Sequence, residues 1–333
     1  MSGWKKSDMI DSFGRKIDYL RISVTDLCNL RCVYCMPEGT VKTEMSEILT
    51  FEEIAQTVRA AAACGITKIR LTGGEPTVRK DIVSLVRMLS QIEGIEEIRM
   101  TSNGILLSEM ASQLKEAGLC GVNISLDTLN AGRFKKIAGT DALEKVMAGI
   151  QASLDAGLCT KINTVLQKGV NDDEWQDLIR LSENRKLDVR FIELMPIGQG
   201  RYGTGIDNDE LLQKISQTWP RVTPDESFHG NGPARYVHID GFMGSTGFIS
   251  AIHGKFCHEC NRLRLTSKGL LKPCLCYGDS VEIKSILRQC PEEERHEKLV
   301  NAFTEAVKKK PEAHCFEKLE KITEQKKMSE IGG

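Results

Sequence analysis

Residues 18–35 read DYLRISVTDLCNLRCVYC. In the first eight, Arg21, Ser23 and Thr25 alternate with Ile22 and Val24. A strand turns successive side chains to opposite faces, so this one carries a polar face and an apolar face. Directly after it, Cys28, Cys32 and Cys35 fall within ten residues. A polar-faced strand that runs into three soft ligands predicts a site at its C-terminal end.

The same alternation recurs downstream. Lys68, Arg70 and Thr72 alternate with Ile69 and Leu71, and Asn123, Ser125 and Asp127 with Val122, Ile124 and Leu126. Lys161 and Asn163 alternate with Ile162 and Thr164. Strands are predicted at 18–25, 67–73, 96–102, 121–127, 160–166 and 188–195. Helices are predicted near 51–64, 80–92, 106–117, 141–156 and 172–186, with Gly65, Gly94, Gly118 and Gly157 as end signals. Strand and helix in strict succession imply parallel strands joined by helical crossovers. An open doubly wound sheet and a barrel share that order. A fully covered parallel sheet would be apolar on both faces. Polar faces instead predict an incomplete (β/α)6 TIM-type barrel, short of the complete eight strands, around a site. Alternation breaks in the last strand, where Arg190 and Met195 differ in phase.

After residue 200 a helix near 207–218, strands at 234–240, 246–252, 262–267 and 270–275, and helices near 281–289 and 291–309 predict a smaller C-terminal α+β domain. The expected division is an extension at 1–14, the barrel at 15–230, the added domain at 231–318 and a tail at 319–333 ending in Gly332-Gly333.

A chain of 333 residues with 41% hydrophobic and 27% charged residues has the composition of a soluble globular protein. A net charge of −1 gives no support to nucleic-acid binding. No apolar run of about 18 residues predicts a membrane span. The start, MSGWKKSDMIDSFGRK, lacks a signal-peptide core, so a cytoplasmic location is expected. In a reducing compartment, twelve cysteines point to metal or redox chemistry. Cys64, Cys120, Cys159, Cys290 and Cys315 are scattered singly and read as small buried hydrophobes.

Cys28, Cys32 and Cys35 also suit one stripe of a helix, or a zinc site completed by a distant ligand. A second group, Cys257-x2-Cys260-x13-Cys274, encloses Arg262-Leu263-Arg264, and Cys276 lies two residues beyond. By spacing it suits either a three-thiolate site or a closed four-thiolate zinc site, with His253 and His258 as further possible ligands.

The C-x3-C-x2-C motif after the first strand, Tyr34 before its third cysteine, and Gly73-Gly74-Glu75-Pro76 after the second strand resemble the radical S-adenosylmethionine (SAM) enzymes. With the second cysteine group, the chain resembles the MoaA family of GTP 3′,8-cyclases, lyases of molybdenum cofactor biosynthesis. The resemblance implies two [4Fe-4S] clusters. One would be held by Cys28, Cys32 and Cys35 with SAM on its open iron, the other by Cys257, Cys260 and Cys274 facing GTP. It implies SAM contacts at Tyr34, Gly74, Ser125 and Met195. It implies GTP contacts at Arg21, Arg70, Thr101, Lys161, Arg262, Leu263 (by its backbone) and Arg264, with Arg262 and Arg264 in catalysis. Strand parity adds Lys68 and Arg190 to the cationic set. No G-x4-G-K-[ST] loop is present, so side chains would hold the triphosphate. The implied reaction is hydrogen abstraction from C3′ of GTP by a 5′-deoxyadenosyl radical and addition of the C3′ radical to C8 of guanine. The implied partners are a reductant such as flavodoxin or ferredoxin and a downstream cyclic pyranopterin monophosphate synthase. The enzyme itself is expected as monomer or homodimer, with the Gly-Gly tail reaching into the active site. A radical SAM peptide-modifying enzyme and a non-enzymatic zinc-ribbon protein are the competing readings.

Overall fold

The computed structural model describes residues 9–39 and 43–331. Six parallel strands form the centre: β1 (Tyr19–Ser23), β2 (Lys68–Thr72), β3 (Glu97–Ser102), β4 (Gly121–Ser125), β5 (Cys159–Thr164) and β6 (Asp188–Ile192), paired in chain order. The connecting helices are α1 (Phe51–Ala63), α2 (Ile82–Ser90), α3 (Leu107–Glu116), α4 (Ala131–Ala138), α5 (Leu143–Asp155) and α6 (Trp175–Arg180). Local chemistry sets their limits. Thr50 caps α1 by accepting from the Glu53 amide at 3.2 Å, and Glu53 accepts from the Thr50 amide at 2.8 Å. The predicted end glycines 65, 94, 118 and 157 all take positive φ, 91°, 90°, 108° and 69°.

Two helices differ from expectation. The eight-residue α4 was not foreseen; Asn130 caps it, accepting from the Arg133 amide at 2.9 Å. The segment expected as one helix over 172–186 is helical only at Trp175–Arg180. Its start is held as a turn because Asn171 donates its side-chain amide to the Asp127 carbonyl at 2.7 Å.

The later elements are α7 (Asn208–Thr218), β7 (Val222–Pro224), β8 (Arg235–Ile239), β9 (Thr246–Ile249), β10 (Arg262–Leu265), β11 (Leu270–Lys272), β12 (Val281–Glu282), α8 (Lys284–Gln289) and α9 (Glu292–Lys308). Their strands do not stack as a separate sheet. β9 pairs in parallel with β6, and β10 in parallel with β1, giving one sheet in the order β12-β11-β10-β1-β2-β3-β4-β5-β6-β9-β8-β7. A six-stranded partial barrel leaves two edges with unpaired backbone groups, and the C-terminal α+β segment covers both. The sheet curls with its apolar side under the helices. Leu20, Ile22, Ile69, Leu71, Ile98, Met100, Val122, Ile124 and Ile162 are all buried there. No described helix is long and apolar enough to cross a membrane.

The scattered cysteines do not share one environment. Cys64 and Cys315 are buried as expected, but Cys120 and Cys290 are partly exposed and Cys159 is exposed at the start of β5. Arg99 Nη1 rests on the Cys159 sulfur at 3.3 Å.

Candidate active site

The polar face of the sheet lines a cavity of about 390 Å³. Arg21, Arg70, Thr101, Asn123, Ser125, Asn163 and Arg190 contribute from β1 to β6. Cys28, Cys32 and Cys35 stand on its wall, and so do Cys257, Cys260 and Cys274.

The first triad lies in a turn, not a helix: the Cys35 and Met36 amides both donate to the Cys32 carbonyl, at 2.9 and 2.8 Å. The turn is held from two sides. The Arg31 and Val33 amides donate at 2.9 Å to the Ala138 and Ile137 carbonyls at the end of α4. Opposite, the Gly74 and Glu75 amides donate to the Thr25 and Leu27 carbonyls, both at 2.8 Å. A Cβ at Gly74 would lie 2.3 Å from the Leu27 oxygen, and one at Gly73 2.4 Å from the Thr25 oxygen. The two glycines are therefore required by the cysteine-bearing backbone itself. The buried Glu75 carboxylate accepts from the Thr77 and Asn103 amides at 3.0 and 2.6 Å and from the Ser102 hydroxyl at 2.8 Å. Tyr34 donates to Asp127 at 2.6 Å. Burial raises the Asp127 carboxyl to about 6 and the Cys28 and Cys35 thiols to about 11, and pushes Cys32 well up.

The second triad occupies the loop before β10 and the end of β11. Pro273, which has no N–H to donate, ends β11 at Lys272, short of the expected residue 275, and turns Cys274 toward the cavity. Arg15 donates to the Cys257, Glu312 and Pro311 carbonyls at 2.7, 2.8 and 2.6 Å. The His314 amide lies 3.4 Å from the Cys257 sulfur. Burial alone would raise the Cys260 thiol, but Lys310 and Arg262 beside it bring it down to about 7.

Cys276 does not join this group. It is fully buried with its sulfur 3.4 Å from that of Cys315. Both pack among Ile197, Leu275, Phe316, Ile322 and Ile331. Among the described residues, Glu193, Asp207 and His253 are the only three potential ligands whose donor atoms all lie within 4.8 Å. Tetrahedral zinc with Zn–S bonds of ~2.3 Å brings its sulfurs to about 3.8 Å from one another. Neither cysteine triad is gathered that closely, so each suits a larger inorganic core than a single zinc ion.

Between the triads the wall is cationic. Arg21 of β1 is in register with Arg264 on one side and Arg70 on the other. Burial, with Arg262 next to it, lowers Arg264 to about 10; burial and Arg264 lower Arg21 well below its usual range. Arg190 Nε donates to Asn163 at 2.9 Å, and Arg70 donates to Tyr19. Arg262 Nε and Asn123 Oδ1 are buried on this lining without a hydrogen-bond partner. Orphaned polar atoms of both signs around one chamber are what a polar anionic ligand would satisfy.

Lys68 and Lys161 share the predicted face but stand outside the lining. Lys68 pairs with Asp18 at 2.6 Å, and Lys161 pairs with Asp188 at 2.8 Å while donating to the His229 carbonyl and the Tyr236 hydroxyl. Leu263 turns its side chain into the core. Ser125 and Met195 line the cavity. Arg190 and Met195 reach it despite their phase because the chain leaves β6 at Ile192. Gly332-Gly333 lies outside the described residues. Sequence reasoning missed Tyr19, Asn103, Asp127, Lys310 and His314; of these, Tyr19 and Asp127 carried a signal, the parity of their strands.

Residues 22–182 match the radical SAM superfamily, and residues 187–316 match Molybdenum Cofactor Synthesis C. GTP 3′,8-cyclase of Pelotomaculum thermopropionicum is 47% identical over 333 residues, covering 98% of this chain and all (100%) of that one. The chain belongs to the GTP 3′,8-cyclase family. The cyclase of Clostridium perfringens is 43% identical over 326 residues, again covering 98% of this chain and 100% of the relative. Among solved structures, Streptococcus suis SuiB bound to precursor peptide SuiA aligns with a TM-score of 0.62 at 14% identity, over 95% of this chain and 75% of that one. Native anSMEcpe with bound AdoMet aligns at 0.57 and 16% identity, over 86% and 83%. At such identities these two establish the radical SAM fold alone. Family membership sets aside the zinc-ribbon and peptide-modifying readings for a GTP 3′,8-cyclase.

Proposed function

We propose that this cyclase binds GTP in the cationic chamber between two [4Fe-4S] clusters, one on Cys28, Cys32 and Cys35 and the other on Cys257, Cys260 and Cys274. When bound, the reduced first cluster and SAM would supply a 5′-deoxyadenosyl radical to take hydrogen from C3′ of GTP; C3′ would then bond to C8 of guanine, with N7 taking up one electron from the reductant and one proton. What the protein supplies is orientation and exclusion of water. Tyr34, Gly74, Ser125 and Met195 bound the SAM end of the chamber. Arg21, Arg70, Arg190, Arg262 and Arg264 offer planar donors to phosphate and ribose oxygens, with Thr101 beside Arg70 and the Leu263 backbone between the last two. Arg262 and Arg264 act closest to the reacting ribose. Lys68 and Lys161, tied to carboxylates, would have to exchange partners to reach GTP. Electrons from flavodoxin or ferredoxin, product use by cyclic pyranopterin monophosphate synthase, a cytoplasmic location and a monomer or homodimer complete the reading. The domain division stays at 1–14, 15–230, 231–318 and 319–333.

One observation carries this: buried guanidinium groups with lowered proton affinity, and orphaned polar atoms, face one chamber between two open thiol triads. Anaerobic protein is expected to hold about eight irons and, with dithionite, SAM and GTP, to release 5′-deoxyadenosine. The Arg262→Ala/Arg264→Ala variant should keep its iron and form no product. Release triggered by a peptide and not by GTP, or full activity in that variant, overturns the assignment.

A further inference from the structure

Lys310 lies two residues after α9 ends, and it is only 4% exposed. Its ammonium donates to the Arg262 carbonyl at 2.8 Å and the Pro273 carbonyl at 2.9 Å, and sits 3.4 Å from the Cys260 sulfur. Those acceptors belong to both chain segments that carry the second triad. Cys260 is a member, Arg262 follows it, and Pro273 directly precedes Cys274. The three donors of an ammonium are thereby all used.

No carboxylate among the described residues forms an ion pair with Lys310, although its neighbour Lys309 pairs with Glu305 at 2.6 Å. A buried cation without an anion is costly. The anion at hand is the thiolate of Cys260, and a [4Fe-4S]2+ core with three thiolates is itself a net anion. The first triad is surrounded differently, with two carboxylates against one cation, Lys327 beside Cys35. Glu75 bears on Cys28 and Asp127 on Cys32, both carboxylates. A positive charge and an N–H···S bond favour the reduced form of a cluster, whereas neighbouring carboxylates disfavour it.

We propose that Lys310 is a positioning residue that spans the second thiolate cage and raises the reduction potential of the cluster held there. This rests on the reading that Cys257, Cys260 and Cys274 hold a [4Fe-4S] cluster. The two centres then differ in electrostatics by design of the chain. The carboxylate-flanked cage is the stronger reductant, as cleavage of SAM demands, and the ammonium-flanked cage is the easier to reduce.

The test uses the full chain with Cys28, Cys32 and Cys35 replaced by Ala, reconstituted anaerobically, so that a single cluster reports. Absence of about four irons in this parent defeats the cluster reading itself, before Lys310 is at issue. With iron present, a redox titration followed by electron paramagnetic resonance compares the parent with Lys310→Gln and Lys310→Arg. The Gln variant is expected to titrate at lower potential or to lose its iron, while the Arg variant keeps the iron and potential of the parent. An unchanged or raised midpoint in the Gln variant overturns the proposal. So does an Arg variant that behaves as the Gln variant does, because the tie would then be one of shape and not of charge.

Discussion

Lys272 and Glu324 form an ion pair of 2.6 Å with their side chains only 2% and 3% exposed. Lys272 ends β11 just before Cys274, and the Glu324 amide donates to the Cys276 carbonyl at 3.2 Å. The pair therefore fastens the C-terminal segment to the second thiolate loop. From there the segment runs on to Met328 and Ser329, which line the cavity. Removing one partner strands a buried charge, a loss of ~3–5 kcal/mol. Glu324→Ala is expected to lower the thermal midpoint of the protein by several degrees. A Lys272→Met/Glu324→Leu variant, which strands no charge, should recover most of that loss. Equal loss in both variants would show that packing, and not the ion pair, holds the segment.

Gly74 is fixed by backbone on two sides, since an added Cβ would meet the Leu27 oxygen at 2.3 Å and the Asp26 oxygen at 2.7 Å. Backbone carbonyls cannot swing aside as a side chain does. Gly74→Ala must displace the segment that leads into Cys28. We expect iron to fall from about eight to about four per chain, with the second cluster retained. Iron analysis of anaerobically reconstituted protein decides it, and a variant with full iron content contradicts the packing role.

Much of the site was legible because strand alternation reports which face a residue takes. Arg21, Arg70, Asn123 and Asn163 reach the cavity by parity. Parity does not report depth. Lys68 opens β2 and Lys161 lies near the start of β5, so both sit low, where Asp18 and Asp188 hold them. Nor did the sequence reveal that β9 and β10 extend the barrel sheet, because their partners β6 and β1 lie tens or hundreds of residues away. Arg15, Lys310 and Glu324 stand in charged stretches without a motif. Their importance comes from burial, which composition does not display.

Cys276 provides a direct contrast with Cys274. Its sulfur faces Cys315 at 3.4 Å, inside an apolar cluster and off the cavity wall. Cys276→Ser is expected to leave the iron content at about eight, whereas Cys274→Ala should reduce it to about four. A closed four-thiolate site would respond to both replacements alike. Loss of metal from the Cys276→Ser variant, read by iron and zinc analysis together, would mean that the fourth thiolate does serve.

His253 gives the stability of the β9 end a pH dependence of predictable sign. Its Nδ1 lies 2.9 Å from Glu193 Oε1, and Asp207 stands 3.8 Å away. The hydrogen bond to Glu193 raises the imidazole above its ordinary value of 6.5 against the opposing effect of burial, and the charges of Glu193 and Asp207 add to the rise. The folded state thus holds the proton more tightly than the unfolded chain. The stabilisation is complete below about pH 6.5 and is lost as pH rises through the folded value. The ring is 55% exposed, so solvent screens the pair and the effect is modest. The Glu193 carboxylate also accepts from the Ile252 and His253 amides, at 2.6 and 3.1 Å, which keeps the loop in place when the ring is neutral. Thermal midpoints of the parent and His253→Gln should accordingly differ at pH 6 and converge toward pH 8.5. A difference that stays constant across that range would show that the ring contributes by contact alone and carries no charge when paired with Glu193.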